Sequence, residues 1–327
     1  MPANLTPQYK AAEERYRKAK TVEEKIDALE EMLAVIPKHK GTEKMRADLK
    51  RRMAKHRDEG QQKGGARSGL HIVVEREGVA QIIIIGPPNT GKSSLLAAIT
   101  NATPEIADYP YTTQRPVCGM LHFENIQFQL VDTPAISSTF FESWLRGVIR
   151  NGDAVLLVAD LSSDSVVEDL DIVFQQLTSA KIELIPSLSQ ATRADSIARC
   201  VTVLMGNKAD SEGSGDREHI LREFYPDLPY QRVSALTGEG LEPLGAMIYD
   251  MLRLVRVYTK PRGHDPDRSR PFVLPQGSTV VDVAKAVHKD LAENLKFARV
   301  WGQTVFEGQR VPRDYVVQEG DVIEVNA

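Results

Sequence analysis

Residues 86–93 read GPPNTGKS and match G-x-x-x-x-G-K-[ST], a pattern that binds the phosphate groups of nucleotides. They follow an apolar run and precede a helical pattern from Ser93 to Thr100, which is the context that this motif requires. Backbone N–H groups of such a loop and of the helix N-terminus point toward the phosphates. We expect Lys92 to add positive charge at the β and γ oxygens and the Ser93 hydroxyl to ligate Mg²⁺. The spacing therefore predicts a nucleotide site, and a chance glycine-rich turn is the weaker alternative.

Residues 207–210 read NKAD and follow a predicted strand, Val201–Gly206. The Asp210 carboxylate can accept hydrogen bonds from N1–H and the exocyclic amine of guanine, whereas adenine has no such pair of donors. The stem of Lys208 can lie along the face of the base. These residue types, in this order along the chain, favour GTP over ATP. The loop whose backbone N–H groups meet guanine O6 is predicted at Ser234, Ala235 and Leu236.

Residues 132–135 read DTPA and take the place of a D-x-x-G motif at the end of the predicted strand Ile126–Asp132. We expect Asp132 to hold Mg²⁺ through water. Ala135 keeps the N–H that meets the γ-phosphate but restricts φ where glycine is usual. Ile136 stands where many GTPases have the glutamine that orients the attacking water. Hydrolysis is therefore expected to be organised differently or to be slow.

Two further positions are expected to act on the phosphates. Either Thr112 or Thr113 could close over the γ-phosphate and ligate Mg²⁺, and we favour Thr113 although both could be solvated loop residues. The Asn89 amide oxygen could help to cage K⁺, or Asn89 could only cap its own loop. The predicted catalytic residues are Asn89, Lys92, Thr113 and Asp132, and the predicted metal ligands are Ser93, Thr113 and Asp132. The predicted nucleotide contacts are Gly86, Asn89, Thr90, Gly91, Lys92, Ser93, Ser94, Asn207, Lys208, Asp210, Ser234, Ala235 and Leu236.

Short apolar runs alternate with amphipathic helices from about Leu70 onward, which indicates an α/β domain with a mostly parallel sheet. Residues 181–199 have no predicted role. The segment 261–270 is rich in proline and charge and reads as a linker. The remaining predicted strands are Gln81–Ile85, Ala154–Asp160 and Tyr230–Ser234. We predict a GTPase domain at 70–260 and a small β-grasp-like α+β domain at 271–327, with strand Phe272–Leu274, helix Val281–Leu295 and strand Ala298–Trp301.

Residues 1–69 are predicted to be helical and basic and to end in a flexible linker at 60–69. Between Lys38 and Arg67 there are 11 Lys and Arg against 4 Asp and Glu, although the whole chain carries a net charge of −4. This basic segment predicts a polyanionic partner, RNA or the ribosome, and a merely solvated helical face remains an open alternative. One predicted apolar helix face consists of Met45, Leu49 and Met53.

Composition places the chain among soluble globular proteins, with 42% hydrophobic and 26% charged residues. The two cysteines, Cys118 and Cys200, have no C-x-x-C spacing, so we expect thiols in a reducing compartment and no zinc site. The N-terminus lacks the layout of a signal peptide, and apolar runs such as Ile82–Ile85 are too short to span a bilayer. We expect a cytoplasmic protein without membrane partners.

With its motifs placed, the chain resembles the Obg superfamily, and within it the branch of developmentally regulated GTP-binding (DRG) proteins. In the GTPase part the resemblance rests on residues 86–93, on YPYTT at 109–113 and on DTP at 132–134. In the tail it rests on RPFVL at 270–274, VHKDL at 287–291 and FARVWG at 297–302, which are similar to the TGS domain of that branch. The resemblance implies a translation- or ribosome-associated GTPase. Only about 20 residues join Asp132 to Ala154, so we expect the domain that this branch inserts there to be absent.

Three functions are consistent with this sequence. The leading one is a GTP-hydrolysing switch whose loops near Thr113 and at 135–136 are ordered by GTP and read by the flanking domains. The second is a slowly hydrolysing nucleotide sensor that docks a protein partner through its TGS domain. Residues 271–327 carry 6 Lys and Arg against 8 Asp and Glu, which favours protein docking at least as much as RNA binding. The third is a GTPase that assists tRNA modification, because the Asn89 loop also occurs in such enzymes.

Overall fold

A computed structural model of the chain describes residues 15–16, 28–29, 32, 49, 74–100, 105–106, 116–190, 196–261 and 263–326. The chain divides into two compact units, Met1–His71 and Ile72–Ala327. The described residues of the first unit are helical, and four of them are buried: Ala28, Leu29, Met32 and Leu49. Burial of Leu49 agrees with the predicted apolar helix face. Leu49 is the one described residue between 38 and 67. The basic residues of that segment and the linker at 60–69 therefore lie outside the described residues.

Eight strands of the second unit form a mostly parallel sheet in the order β2-β3-β4-β1-β5-β7-β6, with β8 beside β7. The strands are β1 (Gln81–Ile85), β2 (Glu105–Ile106), β3 (Val117–Phe123), β4 (Ile126–Asp132), β5 (Ala154–Asp160), β6 (Ile182–Ile185), β7 (Ala198–Asn207) and β8 (Tyr230–Arg232). The helices between them are α1 (Lys92–Thr100), α2 (Ser143–Asn151), α3 (Val166–Ser179), α4 (Ser214–Phe224) and α5 (Leu244–Met251). The predicted α/β class is confirmed.

Helices cover both faces of this sheet, which is why β1 consists of four consecutive isoleucines after Gln81. Ile83 and Ile85 pack into one core cluster with α2 and α3, whereas Ile82 and Ile84 pack into the other with α1 and α5. All four side chains are fully buried. The sheet therefore holds the ends of its parallel strands at one edge, where the loops that follow them can meet.

The predicted strand bounds are correct for β1, β4 and β5, and they differ elsewhere. β7 begins at Ala198, before the predicted Val201, and β8 ends at Arg232 instead of Ser234. β3 and β6 were not predicted. Residues 181–199, which had no predicted role, supply β6, a short 3-10 turn and the first residues of β7.

A second sheet of five strands occupies the C-terminal part, in the order β10-β9-β13-β11-β12. Its strands are β9 (Leu254–Thr259), β10 (Phe272–Pro275), β11 (Phe297–Trp301), β12 (Gln309–Val311) and β13 (Val322–Asn326), and its helices are α6 (Val280–Val287) and α7 (Lys289–Asn294). β9 precedes the predicted linker at 261–270 yet pairs with β10 and β13, so the sheet begins earlier in the chain than the predicted domain.

The predicted single helix Val281–Leu295 is wrong, because the helix is interrupted at His288 and two shorter helices take its place. His288 has extended backbone angles (φ −167°, ψ 141°), and its Nδ1 accepts the backbone N–H of Asp290 at 3.2 Å. A local N-cap thus begins a new helix where apolar periodicity alone predicts a continuous one.

Hydrogen bonds join the C-terminal sheet to the β3–β4 hairpin of the first sheet. The Arg256 guanidinium donates to Glu319 at 2.7 Å, to the Asn125 amide oxygen at 3.2 Å and to Glu124. The Tyr249 hydroxyl of α5 donates to Glu319 at 2.6 Å. Burial raises the pKa of Glu319, but the hydrogen bonds from Tyr249 and Arg256 outweigh burial and hold it below its ordinary value. Glu319 is therefore an ionised contact between the two parts.

Gly302, at the end of β11, allows a buried carboxylate to approach the chain, so Gly302→Ala should destabilise the C-terminal domain. An added Cβ would lie 1.9 Å from Oδ1 of Asp321, whose other oxygen accepts the Gln318 N–H at 2.9 Å. Asp321 is fully buried and cannot move away. Overpacking of this kind costs about 1–3 kcal/mol. Calorimetric unfolding should show a lower Tm for this part of the protein.

The matched control is Gly215→Ala in α4, where an added Cβ meets nothing within 4 Å. Alanine is favoured over glycine in helices by about 0.5–1 kcal/mol, so this variant should unfold at the wild-type temperature or above it. If Gly302→Ala unfolds like the control, the close approach of Asp321 is not a constraint on the fold.

Candidate nucleotide-binding site

A cavity of about 620 Å³ opens at the ends of β1 and β4, beside the N-terminus of α1. It is lined by Asn89, Gly91, Lys92, Ser93, Ser94, Val117, Asp132, Thr133, Pro134 and Ala135. Most of these residues come from the two predicted phosphate motifs. Val117 lies outside both motifs, and an apolar residue gives no signal of such a role in a sequence. The size and polar wall of the cavity suit a group such as a nucleotide phosphate chain.

The Lys92 side chain lies under the loop that precedes α1. Its Nζ donates to the carbonyl of Pro87 at 2.6 Å, to that of Gly86 at 3.2 Å and to the Thr90 hydroxyl at 3.4 Å. Burial lowers the pKa of Lys92 to about 8, although the nearby Asp132 carboxylate opposes this shift. A phosphate placed against Nζ would favour the charged form, because an opposite charge raises the pKa of an amine.

Ser93 and Asp132 meet across the cavity, with the Ser93 hydroxyl donating to Oδ2 of Asp132 at 2.5 Å. Oδ1 of Asp132 is buried and has no hydrogen-bond partner. Burial raises the pKa of Asp132, against the opposing effects of Ser93, Lys92 and the Thr133 N–H. A carboxylate oxygen beside a hydroxyl is a donor set that Mg²⁺ accepts when phosphate oxygens and water complete its shell. The described residues contain no cluster of three His, Cys, Asp or Glu that could hold a metal, so an ion here would need those other oxygens.

Asn207 connects the phosphate loop to the opposite side of the site. Its Nδ2 donates to the Thr90 carbonyl at 2.8 Å, and its Oδ1 accepts the Ala235 N–H at 3.0 Å. Asn207 is 1% exposed, so both bonds are shielded from water. A Cβ at Gly91, where φ is +82°, would lie 2.6 Å from this Nδ2, which explains why glycine is needed beside it.

The predicted base-binding residues form a second group, at the ends of β7 and β8. Asp210 is exposed and accepts a hydrogen bond from the Ser234 hydroxyl. Nζ of Lys208 bonds Oδ2 of Asp160 at 2.5 Å, and Asp160 was not predicted. Burial raises the pKa of Asp160, but the Lys208 and Ser162 hydrogen bonds outweigh it and keep the pKa low. Leu236 is 84% exposed.

The segment after Asp132 is anchored to the phosphate loop. The Thr133 hydroxyl donates to the Ile84 carbonyl at 2.7 Å, and the Ile136 N–H donates to the Gly86 carbonyl at 3.1 Å. Ala135 is half-buried and lines the cavity, whereas the Ile136 side chain is fully buried in the core. The residue that stands in the place of the water-orienting glutamine therefore has a packing role.

Asn89 adopts a left-handed conformation with φ 63° and is exposed at the mouth of the cavity. Its amide makes no hydrogen bond within the part of the chain that the structure describes, which disfavours the alternative that it only caps its loop. Asparagine tolerates this conformation better than most residues. Thr112 and Thr113, predicted to close over the γ-phosphate, lie outside the described residues.

Comparison with known proteins agrees with this geometry. The profile of the family described as "50S ribosome-binding GTPase" matches residues 81–191, and that of the TGS domain matches residues 255–327. The TGS match begins at β9, as the second sheet does. A YchF GTPase structure from Schizosaccharomyces pombe has a TM-score of 0.52 at 14% identity, covering 77% of this chain and 99% of that one, which shows a shared fold.

Relatives match along nearly the whole chain. An uncharacterized GTP-binding protein of Methanocaldococcus jannaschii is 29% identical over 363 residues, covering 93% of this chain and 92% of its own. Developmentally-regulated G-protein 1 of Arabidopsis thaliana is also 29% identical, covering 92% of this chain and 90% of its own. The first alignment is longer than the 327 residues of this chain, so it includes stretches of the relative that have no counterpart here.

No helix among the described residues is long and apolar enough to cross a membrane. The GTPase match precedes the TGS match along the chain, and the relatives that match nearly the whole chain include proteins named as GTP-binding. The chain therefore contains a P-loop GTPase domain and a C-terminal TGS domain, and its similarity to DRG proteins is consistent with the Obg and DRG family.

Proposed function

We propose that this protein hydrolyses GTP to GDP and phosphate and acts as a switch that associates with RNA or the ribosome. The observation that carries the proposal is the arrangement around Asp132. Asp132, Ser93 and Lys92 all line the cavity at the start of α1, the Ser93 hydroxyl donates to Oδ2 of Asp132, and Oδ1 of Asp132 is buried without a hydrogen-bond partner. Positive charge and metal-binding oxygens at one place are what phosphoryl transfer requires, because the transition state spreads negative charge over the phosphate oxygens.

Ser93 and Asp132 would hold Mg²⁺, together with Thr113 from the segment before β3. When bound, Mg²⁺ neutralises charge on the β and γ oxygens of the nucleotide. Lys92 would hold the same oxygens from the other side, and the backbone N–H groups of the loop from Asn89 to Ser93 would complete the cradle. Ser94, which lines the cavity, is the remaining proposed phosphate contact.

Guanine recognition is proposed at Asp210, supported by Ser234, which orients its carboxylate. Asn207 would position the base-binding loop through the Ala235 N–H, and Lys208 would cover one face of the base. Leu236 is well placed for contact with a ligand, because its side chain is largely exposed.

The proposed switch connects the site to the TGS domain through the β3–β4 hairpin. β4 ends at Asp132, and the turn at the other end of the hairpin contacts Arg256 through Glu124 and Asn125. A change at the phosphates that moves β4 would therefore act directly on a contact with the TGS domain. The proposed place of action is the cytoplasm, which the two thiols, Cys118 and Cys200, support.

An alternative is a nucleotide sensor that hydrolyses GTP slowly and docks a protein partner through its TGS domain. Burial of Ile136 favours it, because no side chain at that position can orient water. A role in tRNA modification has less support, since both family matches are accounted for by the GTPase and TGS parts.

Asp210→Asn should weaken GTP binding and favour xanthosine triphosphate, because the amide donates where the carboxylate accepted. Each lost charge-assisted hydrogen bond is worth about 1.5–3 kcal/mol, so GTP affinity should fall by at least about tenfold. Calorimetric titration with both nucleotides measures this. Asp216→Asn in the first turn of α4 is the control and should bind GTP normally. Unchanged GTP affinity in Asp210→Asn would reject this loop as the base site.

Phosphate release from GTP should be faster in KCl than in NaCl, because K⁺ held by Asn89 and phosphate oxygens would supply the positive charge that Ile136 and its neighbours do not. An arginine finger raises the hydrolysis rate by 10³–10⁵ in other GTPases, and we expect K⁺ to raise it by at least about tenfold. Asn89→Gly should lose the difference. Glycine accepts the left-handed φ without strain, so this variant removes only the amide.

Asn151→Ala, at the exposed end of α2, is the control and should keep the K⁺ effect. Equal wild-type rates in the two salts would eliminate the cation. A K⁺ effect that survives in Asn89→Gly would place its ligand elsewhere.

Removing residues 1–69 should weaken RNA binding and flatten its salt dependence. The unit boundary near residue 71 makes this deletion compatible with the rest of the fold. For a single strand, each phosphate contact that is lost reduces the slope of log K against log salt by about 0.7. Anisotropy of a labelled RNA across a KCl series measures the slope, and GDP affinity is the control. An unchanged slope would mean that the basic segment is only a solvated surface.

A further inference from the structure

Arg232 ends β8 and belongs to none of the nucleotide-binding motifs. Its guanidinium donates four hydrogen bonds: to the Ala209 carbonyl at 2.6 Å, the Ser214 hydroxyl at 2.9 Å, Glu218 at 2.9 Å and Glu239 at 3.2 Å. Arginine has five N–H donors in a planar, rigid arrangement, so nearly the whole donor set is used. These partners come from the loop after β7, from α4 and from the loop after β8. One side chain therefore holds three segments together.

The first of these contacts acts on the backbone that carries Asp210, the proposed guanine contact. Ala209 directly precedes Asp210 and is 4% exposed. Its N–H donates to the Val233 carbonyl at 3.0 Å, and its carbonyl accepts from Arg232 and from the Ser214 hydroxyl, the latter at 2.7 Å. Both polar groups of this peptide unit are thus fixed in a position that is shielded from water. The direction in which the chain enters Asp210 depends on these bonds.

The last of the four contacts reaches the loop on the other side of Asp210. The backbone carbonyl of Glu239 accepts the Ser234 N–H at 2.9 Å, and the Ser234 hydroxyl donates to the Asp210 carboxylate. Ser234 is fully buried, and Arg232 bonds the side chain of the same Glu239. The guanidinium therefore connects to Asp210 by two routes, through the preceding peptide and through the loop that supplies its hydroxyl partner.

A neighbouring arginine shows what an ordinary surface ion pair looks like at this place. Arg222 is 65% exposed and lies 3.9 Å from Glu218, whereas Arg232 is 31% exposed and bonds the same carboxylate at 2.9 Å. Exposed ion pairs contribute little by themselves. What distinguishes Arg232 is its bond to the buried Ala209 carbonyl, because a buried acceptor that loses its donor is costly.

We propose that Arg232 is a positioning residue for guanine recognition, which fixes the Ala209 carbonyl and thereby aims the Asp210 carboxylate at N1–H and the exocyclic amine of the base. The inference rests on the proposed guanine contact and deepens it. Two parallel hydrogen bonds to the edge of a planar base require one orientation of the carboxylate. A displacement of Asp210 therefore costs one of the two bonds before it abolishes binding.

The test compares GDP with inosine diphosphate (IDP), which lacks the exocyclic amine, by calorimetric titration of the full-length protein. Arg232→Gln should bind GDP about tenfold more weakly but IDP within about threefold of wild type, because the bond to the amine is lost. Arg232→Lys should behave like Arg232→Gln, since an ammonium keeps the charge without the planar array of donors. The control, Arg222→Gln, contacts Glu218 but not Ala209 and should keep the wild-type ratio of GDP to IDP affinity. Equal losses for GDP and IDP in Arg232→Gln, or a wild-type ratio in Arg232→Lys, would overturn the proposal.

A milder variant gives the same readout without opening the buried part of the network. Glu239→Gln changes a side chain that is 51% exposed and weakens one of the four bonds. The GDP-to-IDP ratio should fall by about two- to threefold, in the same direction as for Arg232→Gln. This result supports the proposal even where Arg232→Gln is too unstable to titrate. An unchanged ratio in Glu239→Gln would remove the second route to Asp210.

A double-mutant cycle with Asp210→Asn tests whether Arg232 acts through Asp210. In the Asp210→Asn background, Arg232→Gln should change GDP affinity by less than about twofold, because the contact that it positions is already lost. Additive losses would overturn the proposal and leave Arg232 as a general structural residue. Unchanged GDP affinity in Asp210→Asn alone would reject the proposed base site. A loss in Asp210→Asn together with a wild-type GDP-to-IDP ratio in Arg232→Gln would reject this inference alone.

Discussion

The Asn207 side chain links the phosphate loop to the base-binding loop. Its donor holds the Thr90 carbonyl and its acceptor holds the Ala235 N–H, in a buried position where either bond would be costly to lose. The bridge joins the loop that contains Lys92 to the loop that contains Ala235, next to the proposed base contact Asp210. Gly91 is required because any side chain there would enter the space of the amide. The site can therefore be regarded as one rigid frame, built where parallel strands end.

The strands that carry the site differ in whether they reach the TGS domain. β1 and β7 are buried on both faces, whereas β4 runs from Asp132 to a hairpin turn whose residues contact Arg256 of the TGS domain. β4 therefore provides one physical connection between the candidate site and the TGS domain, in addition to the hydrogen bond from Tyr249 of α5 to Glu319.

The sequence predicted the parts of the site that depend on local spacing. It did not predict those that depend on contacts between residues distant in the chain. The phosphate loop and the strands around it were predictable, because motif spacing and burial on both faces leave a clear pattern. The bridging role of Asn207 was not, since both of its partners are distant in the chain. The position of Ile136 directly after the DTPA motif is visible in the sequence, but the burial of its side chain in the core depends on packing. His288 was missed because a local cap overrides helical periodicity, and β9 because its partner strands are non-local.

The proposed function requires that this site hydrolyses GTP and does not only bind it. Single-turnover hydrolysis, with protein in excess over γ-labelled GTP in Mg²⁺ and KCl, tests it most directly. We expect the wild type to convert GTP completely to GDP and phosphate, and Asp132→Asn to lose this conversion while it stays folded. GTP that stays bound and intact through the experiment, with wild type and variant alike, would contradict the account and identify a nucleotide sensor.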